Sequence, residues 1–454
     1  MAKTLLQLFL TEARSTRSAQ RKTNNLQIPS LPLCSLCSLC LYEIKNIVKI
    51  LLFRGKLIGA LIYLFFAFPV FAQSPQSPGF LELFSQSAVV MDASTGTIVY
   101  YKNPDDEIPP ASLTKLMTMH LALREIALGR ASLNEIITPP VESWAVNQLP
   151  GSSLMYLAQG QTLSLRELML GMAIFSGNDA AAAAALRLAP SVEEFTRMMN
   201  MEAAAMGLNI TRFVDASGYS EENMTTAREF AELCRLYLQA HPESLVDFHS
   251  VREFAYPRAE NVPPERRSNP ATRLHRNNNT LLGRVEGVDG FKTGYIPESG
   301  YNIALTAERN GTRFIAVILG APSERGGDKK RDEDGEKVLE WAFQRYKTIR
   351  PDTGELPPVR IWKGKDNYAL VVPETPFIFT ALAERGNQLS WETELDQPIV
   401  APLYAGQEVG RLVLYDNLGE LGRVTLVTSQ NAERGGFFKR LFDSIRLFFR
   451  KIFN

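Results

Sequence analysis

Ser112-Leu113-Thr114-Lys115 heads a segment, residues 112–128, with apolar residues at helical spacing and Gly129 at its close. Residues three apart share a helix face, so a serine at the start meets a lysine one turn on. Serine is a weak nucleophile until a base takes its proton. A lysine becomes that base when burial and nearby cations lower its pKa. The helix start adds a positive dipole end and free N–H groups. Farther along, Ser176-Gly177-Asn178 falls between two helix-patterned segments. It offers a hydroxyl for proton relay and a carboxamide for orienting a peptide group. Lys292-Thr293-Gly294 lies on a strand-patterned segment. The lysine and threonine suit a carboxylate, and the glycine lets a substrate lie close against the strand. One S-x-x-K arises by chance about once in a chain of this size. Three such elements, in order on helix, loop and strand, are far more specific.

Working outward, residues 88–92 and 97–101 alternate as strands around the turn Ala93-Ser94-Thr95-Gly96. Residues 164–175, 179–188, 192–206 and 226–239 read as helices, then 290–295, 301–307 and 313–319 as a strand meander. A helix is expected over 333–346. The opening hairpin and the later strands would share one antiparallel sheet covered by helices inserted mid-chain, an α+β layout over residues 80–350. A linker spans 351–358. Short alternating segments between Gly, Pro and Asn then predict a small all-β domain over 359–430.

The 454 residues exceed one ordinary domain. At 45% hydrophobic and 22% charged the composition is globular, and 49 basic residues balance 49 acidic ones, which argues against a nucleic-acid binder. His120, His241, His249 and His275 show no metal-ligand spacing, so no metal and no cofactor is implied and all four read as structural or surface residues. Cys34, Cys37 and Cys40 lie upstream of an export signal, leaving Cys234 alone as a small core residue without a disulfide partner.

That signal covers residues 45–72. Lys45, Lys49, Arg54 and Lys56 precede an apolar run over 57–68, and Val70-Phe71-Ala72 supplies a cleavage site. The run is too short for a membrane span, which needs ~20 residues. Residues 1–44 match no signal and stay unassigned. At the other end, on a helical wheel of residues 437–453, Phe437, Phe438, Leu441, Phe442, Ile445, Phe448, Phe449, Ile452 and Phe453 occupy one half. Lys439, Arg440, Arg446, Arg450 and Lys451 occupy the other. An aromatic face opposite a basic one describes a helix, residues 436–454, lying in an anionic membrane interface.

The three motifs together resemble the signature of penicillin-binding proteins and class A β-lactamases. Their surroundings, Pro110-Ala-Ser-Leu-Thr-Lys115, Phe175-Ser-Gly-Asn-Asp-Ala-Ala181, Arg276-Asn-Asn-Asn-Thr-Leu-Leu282 and Asp289-Gly-Phe-Lys-Thr-Gly-Tyr295, are similar to the low-molecular-mass D-alanyl-D-alanine carboxypeptidases. The resemblance covers about residues 80–350 and, in kind, the β domain and tail. It implies the penicillin-binding, β-lactamase-like transpeptidase fold. It also implies an exported enzyme on the periplasmic face of the inner membrane. Its substrate would be a peptidoglycan stem peptide ending in D-Ala-D-Ala, and β-lactam antibiotics would inhibit it. The implied roles are Ser112 as acylated nucleophile, Lys115 as its base and Ser176 as proton relay to the leaving D-alanine. Asn178 would hold Lys115 and the substrate amide. Lys292, Thr293 and Gly294 would bind the substrate along the strand, and the N–H groups of Ser112 and Tyr295 would form an oxyanion hole. Arg331, in a long charged loop, would help bind the terminal carboxylate. Many members carry histidine where this chain has Tyr295.

Other readings remain at this level. Ser112 could be only a helix N-cap, Asn178 with Asp179 only a cap for the next helix, and Lys292 a solvated strand residue. A DD-endopeptidase or β-lactamase would share the fold, although no E-x-x-L-N stands between Lys115 and Lys292 to deacylate a β-lactam. A wall-binding membrane protein without catalysis is the alternative of another class.

Overall fold

The computed structural model describes residues 81–453. The unassigned extension 1–44, the signal 45–72 and the first three cysteines lie outside the described residues. The described residues form one compact unit.

The first hairpin pairs β1 (Ser87–Asp92) with β2 (Ile98–Lys102), and β1 joins a meander of β5 (Val288–Ile296), β6 (Gly300–Arg309) and β7 (Thr312–Ala321). The antiparallel order is β2-β1-β7-β6-β5, which puts β5, the carrier of Lys292, at an edge. Successive strand residues face opposite sides. Val89, Met91, Ile315 and Val317 therefore join the core beneath the mid-chain helices. Ala88, Val90, Phe314 and Ala316 pack on the other side, with Val338, Leu339 and Trp341. Both faces being covered explains the near-continuous apolar runs of these strands.

The helical layer contains α1 (Lys115–Ala127), α2 (Leu165–Leu170), α3 (Asn178–Leu188), α4 (Val192–Ala205) and α5 (Ala227–Ala240). Ser164, Ser191 and Thr226 cap α2, α4 and α5 by accepting from the backbone three residues on. Met117, Met119 and Cys234 are fully buried core residues.

Several elements differ from expectation. The segment from Ser112 opens as a 3-10 turn, Ala111–Thr114, and becomes α-helical only at Lys115. The helix expected over 164–175 widens to a π-turn at Gly171–Phe175 and ends on Ser176 in the left-handed region at φ 61. The helix expected from residue 333 begins at Gly327, so α6 (Gly327–Arg345) contains Arg331 rather than following a loop that holds it. Its charged first turns lack the apolar period that marks a helix in sequence. A hairpin of β3 (Glu253–Tyr256) and β4 (Arg273–Arg276) was not legible among its arginines.

Beyond residue 359 the chain is β-rich. Its main sheet runs β8 (Val371–Pro373), β11 (Gly419–Thr428), β10 (Glu408–Asp416) and β9 (Ser390–Leu395) in spatial order. Asp92, in the first hairpin, accepts from Thr348 and Thr380, both at 2.8 Å, and so ties this part to the main sheet. Helix α7 (Phe437–Phe453) closes the described chain.

Candidate active site

Lys115 is fully buried at the start of α1, and its ammonium has three acceptors. Nζ lies 2.9 Å from Ser112 Oγ, 2.8 Å from Asn178 Oδ1 and 2.7 Å from the Ser217 carbonyl. The 3-10 turn sets the first of these distances, because it brings residues i and i+3 into register. Burial drives the lysine pKa down from 10.5 to about 7, against the pull of Asp215 and Asp179 in the other direction. Desolvation is thus the cause of the lowering, and the two anions oppose it.

Those anions are occupied. Asp179, on α3 next to Asn178, accepts from Met155 N at 2.8 Å and Leu157 N at 3.0 Å. Burial raises its pKa and these backbone donors oppose the rise. Asp215 takes the N–H groups of Ser217 and Gly218, both at 2.6 Å, and of Ser220 at 2.9 Å. Burial would raise its pKa too, but its donors outweigh burial and hold it low. The turn that Asp215 organises delivers the Ser217 carbonyl to Lys115. Gly218 in it has φ 77, and a Cβ there would stand 1.8 Å from the Ala111 carbonyl. Only glycine lets this turn press on the head of α1.

Ser176 follows the π-turn. Its Oγ is buried and has no hydrogen-bond partner. A buried hydroxyl without a partner is rare in folded proteins. Gly294 on β5 runs beside the 3-10 turn. A Cβ at this position would lie 2.9 Å from the Pro110 carbonyl and 3.0 Å from Ser112 N. The neighbouring Lys292 is fully buried, with Nζ on the Thr293 carbonyl at 2.8 Å. Burial, then the charges of Lys115 and Arg331, push its pKa well below the ordinary lysine value. A strand lysine facing solvent is excluded.

Tyr295 is exposed and its ring lies 4.3 Å from that of Tyr301. The Arg331 guanidinium sits 5.9 Å from the Tyr301 ring and donates to Asp332 Oδ1 at 2.9 and 2.6 Å. Ser112, Lys115 and Asn178 are therefore joined by hydrogen bonds. Gly294 lies against Ser112 N, with Thr293 next to it in the chain; Ser176 stands two residues before Asn178, and Arg331 acts through its charge on Lys292 while bonded to Asp332. Sequence reading missed Asp215, Ser217 and Gly218, and named Asp179 only as a helix cap. The run Asp215-Ala-Ser-Gly-Tyr-Ser220 is an Asx-turn signature that could have marked a tight turn, but not its place against Lys115. His120, His241 and His249 are buried; among the described residues no cluster could hold a metal ion.

The family model described as D-alanyl-D-alanine carboxypeptidase matches residues 71–323, more than half of the chain. The chain belongs to the D-alanyl-D-alanine carboxypeptidase family. A second model, the C-terminal domain of penicillin-binding protein 5, matches residues 345–434. Among family members, DacC of Escherichia coli is 30% identical over 410 residues, covering 88% of this chain and 97% of its own. DacD of the same organism is 32% identical over 376 residues, covering 82% and 92%. In structure, penicillin binding protein 5 from Haemophilus influenzae superimposes with a TM-score of 0.69 at 26% identity, covering 78% of this chain and 99% of that one. This is the α+β fold of the family, with its β-rich C-terminal domain.

Proposed function

We propose that this serine-type D-alanyl-D-alanine carboxypeptidase removes the terminal D-alanine of peptidoglycan stem peptides through an acyl-enzyme on Ser112. The observation that carries the reading is the buried Lys115 amine 2.9 Å from Ser112 Oγ. Neutral Lys115 takes the hydroxyl proton as Oγ attacks the carbonyl of the penultimate D-alanine. The oxyanion forms beside Ser112 N and Tyr295 N, where Gly294 keeps the strand close. The tetrahedral intermediate collapses with cleavage of the C–N bond. The leaving amine receives a proton through Ser176 Oγ, whose free hydrogen-bonding capacity suits it to the relay. Asn178 holds Lys115 and the substrate amide, and Lys292, Thr293 and Arg331 attract the terminal carboxylate. Water then hydrolyses the ester. Penicillin would be trapped at the acylation step.

Two observations weigh against the β-lactamase reading. Asp179 and Asp215, the acids near Lys115, are engaged by backbone N–H groups. Neither is free to activate a deacylating water. Residues 45–72 support export to the periplasm. Helix α7 supports peripheral attachment to the membrane, because Phe438 is 73% and Phe453 80% exposed while the inward Asp443 is buried. No described helix is long and apolar enough to cross a membrane.

The test is D-alanine release from a pentapeptide ending in D-Ala-D-Ala, alongside labelling with fluorescent penicillin. Wild type should do both and Ser112→Ala neither. Penicillin labelling without D-alanine release would shift the activity to an endopeptidase. No labelling would leave a wall-binding protein.

A further inference from the structure

Helix α7 meets the β-rich domain along a cleft of about 440 Å³ whose lining includes Lys363, Arg434, Arg440, Val400, Ala401 and Phe437. Three cations thus share one partly apolar cleft. Among the described residues, none of the three pairs with a carboxylate. The inward acid of the helix, Asp443, is already taken by Lys363 N–H at 2.7 Å and lies 3.7 Å from Lys439. Arg440 Nε is buried with no hydrogen-bond partner. Buried donors are rarely left unmet in the absence of a ligand.

The backbone holds these cations together. Lys363 adopts φ 58, its carbonyl accepts from Gly435 N at 2.8 Å, and Gly364 pairs antiparallel with Arg434. Two guanidiniums and an ammonium in one cleft match the charge and the several acceptor oxygens of a phosphate group. Phe437 and Leu441 at the rim continue into the exposed apolar face of the helix. A ligand held here therefore carries its anionic group in the cleft and an apolar body along the phenylalanines. We infer that the cleft binds the phosphate of an anionic phospholipid headgroup. The inference rests on the reading that α7 lies on a membrane, and narrows it from a charged surface to one headgroup site.

The test uses the intact protein, the pair Arg434→Gln/Arg440→Gln and the control pair Arg446→Gln/Lys451→Gln. The control pair removes the same total charge, two units, but lies outside this cleft. Each is partitioned onto phosphatidylglycerol and phosphatidylcholine vesicles, with thermal melting and penicillin labelling to confirm folding. Loss of two near-surface charges alone weakens binding to anionic vesicles roughly 30-fold. The control pair should show about that loss, and the cleft pair at least tenfold more, with phosphatidylcholine binding unchanged for both. Equal losses in the two pairs would overturn the cleft and leave membrane attachment standing. Wild type binding neither vesicle would overturn both. Inorganic phosphate, titrated at constant ionic strength into vesicle-free protein, separates the sources. Saturable binding lost in the cleft pair, with equal vesicle losses, would make this a free-anion site and refute the headgroup.

Discussion

Acylation by penicillin should rise with pH through about 7, because Lys115 must be neutral to take the Ser112 proton. Burial lowers its pKa from 10.5 to about 7. The neutral fraction is then about one half at pH 7, about one tenth at pH 6 and about one hundredth at pH 5. A lysine at its ordinary value would be well under one thousandth neutral at pH 7. The same shift bears on stability. Below about 7 the amine is protonated in both folded and unfolded chains, and its burial costs about 5 kcal/mol in full. Between about 7 and 10.5 the unfolded chain binds the extra proton, so stability rises with pH and the cost is gone at the top of that window. The assay is the second-order rate of labelling by fluorescent penicillin from pH 5 to 9, with thermal melting of wild type and Lys115→Met from pH 7 to 10.5. The wild type should gain stability across that window relative to Lys115→Met. Labelling rates that stay flat from pH 5.5 to 8, or that survive in Lys115→Met, would refute neutral Lys115 as the base.

Three other outcomes are expected. Gly294→Ala puts a Cβ 3.0 Å from Ser112 N, which would disturb the proposed oxyanion site and should lower penicillin labelling about 100-fold or more, with folding kept on thermal melting. Ser176→Ala removes a buried hydroxyl that has no partner. It should therefore leave the melting temperature within a few degrees while lowering D-alanine release about 100-fold, measured on the pentapeptide. Asp443→Ala frees the Lys363 N–H; losing this buried acceptor should cost about 1–3 kcal/mol of local stability and expose α7 to trypsin, followed by limited proteolysis.

The three motifs were legible in sequence because each is a short local pattern: a serine and lysine one turn apart, a polar triplet between helices, a glycine on a strand. The strands β1, β5, β6 and β7 were legible because two-sided burial leaves long apolar runs. The amphipathic tail was legible because its faces alternate at the helical period. Arg331 was assigned to a loop because the charged start of α6 has no such period; its helix forms against the far side of the sheet.

What sequence alone determined was the set of candidate side chains and the family they resemble, since these depend on residues close together in the chain. Tertiary structure decided how those side chains are placed and how burial sets their charge. The desolvation that lowers Lys115 comes from segments more than 60 residues away, including Asn178 and Ser217. The turn at Asp215 reaches the helix head only because Gly218 lets two backbones touch. Burial and close approach between distant segments are properties of packing, and no local pattern encodes them.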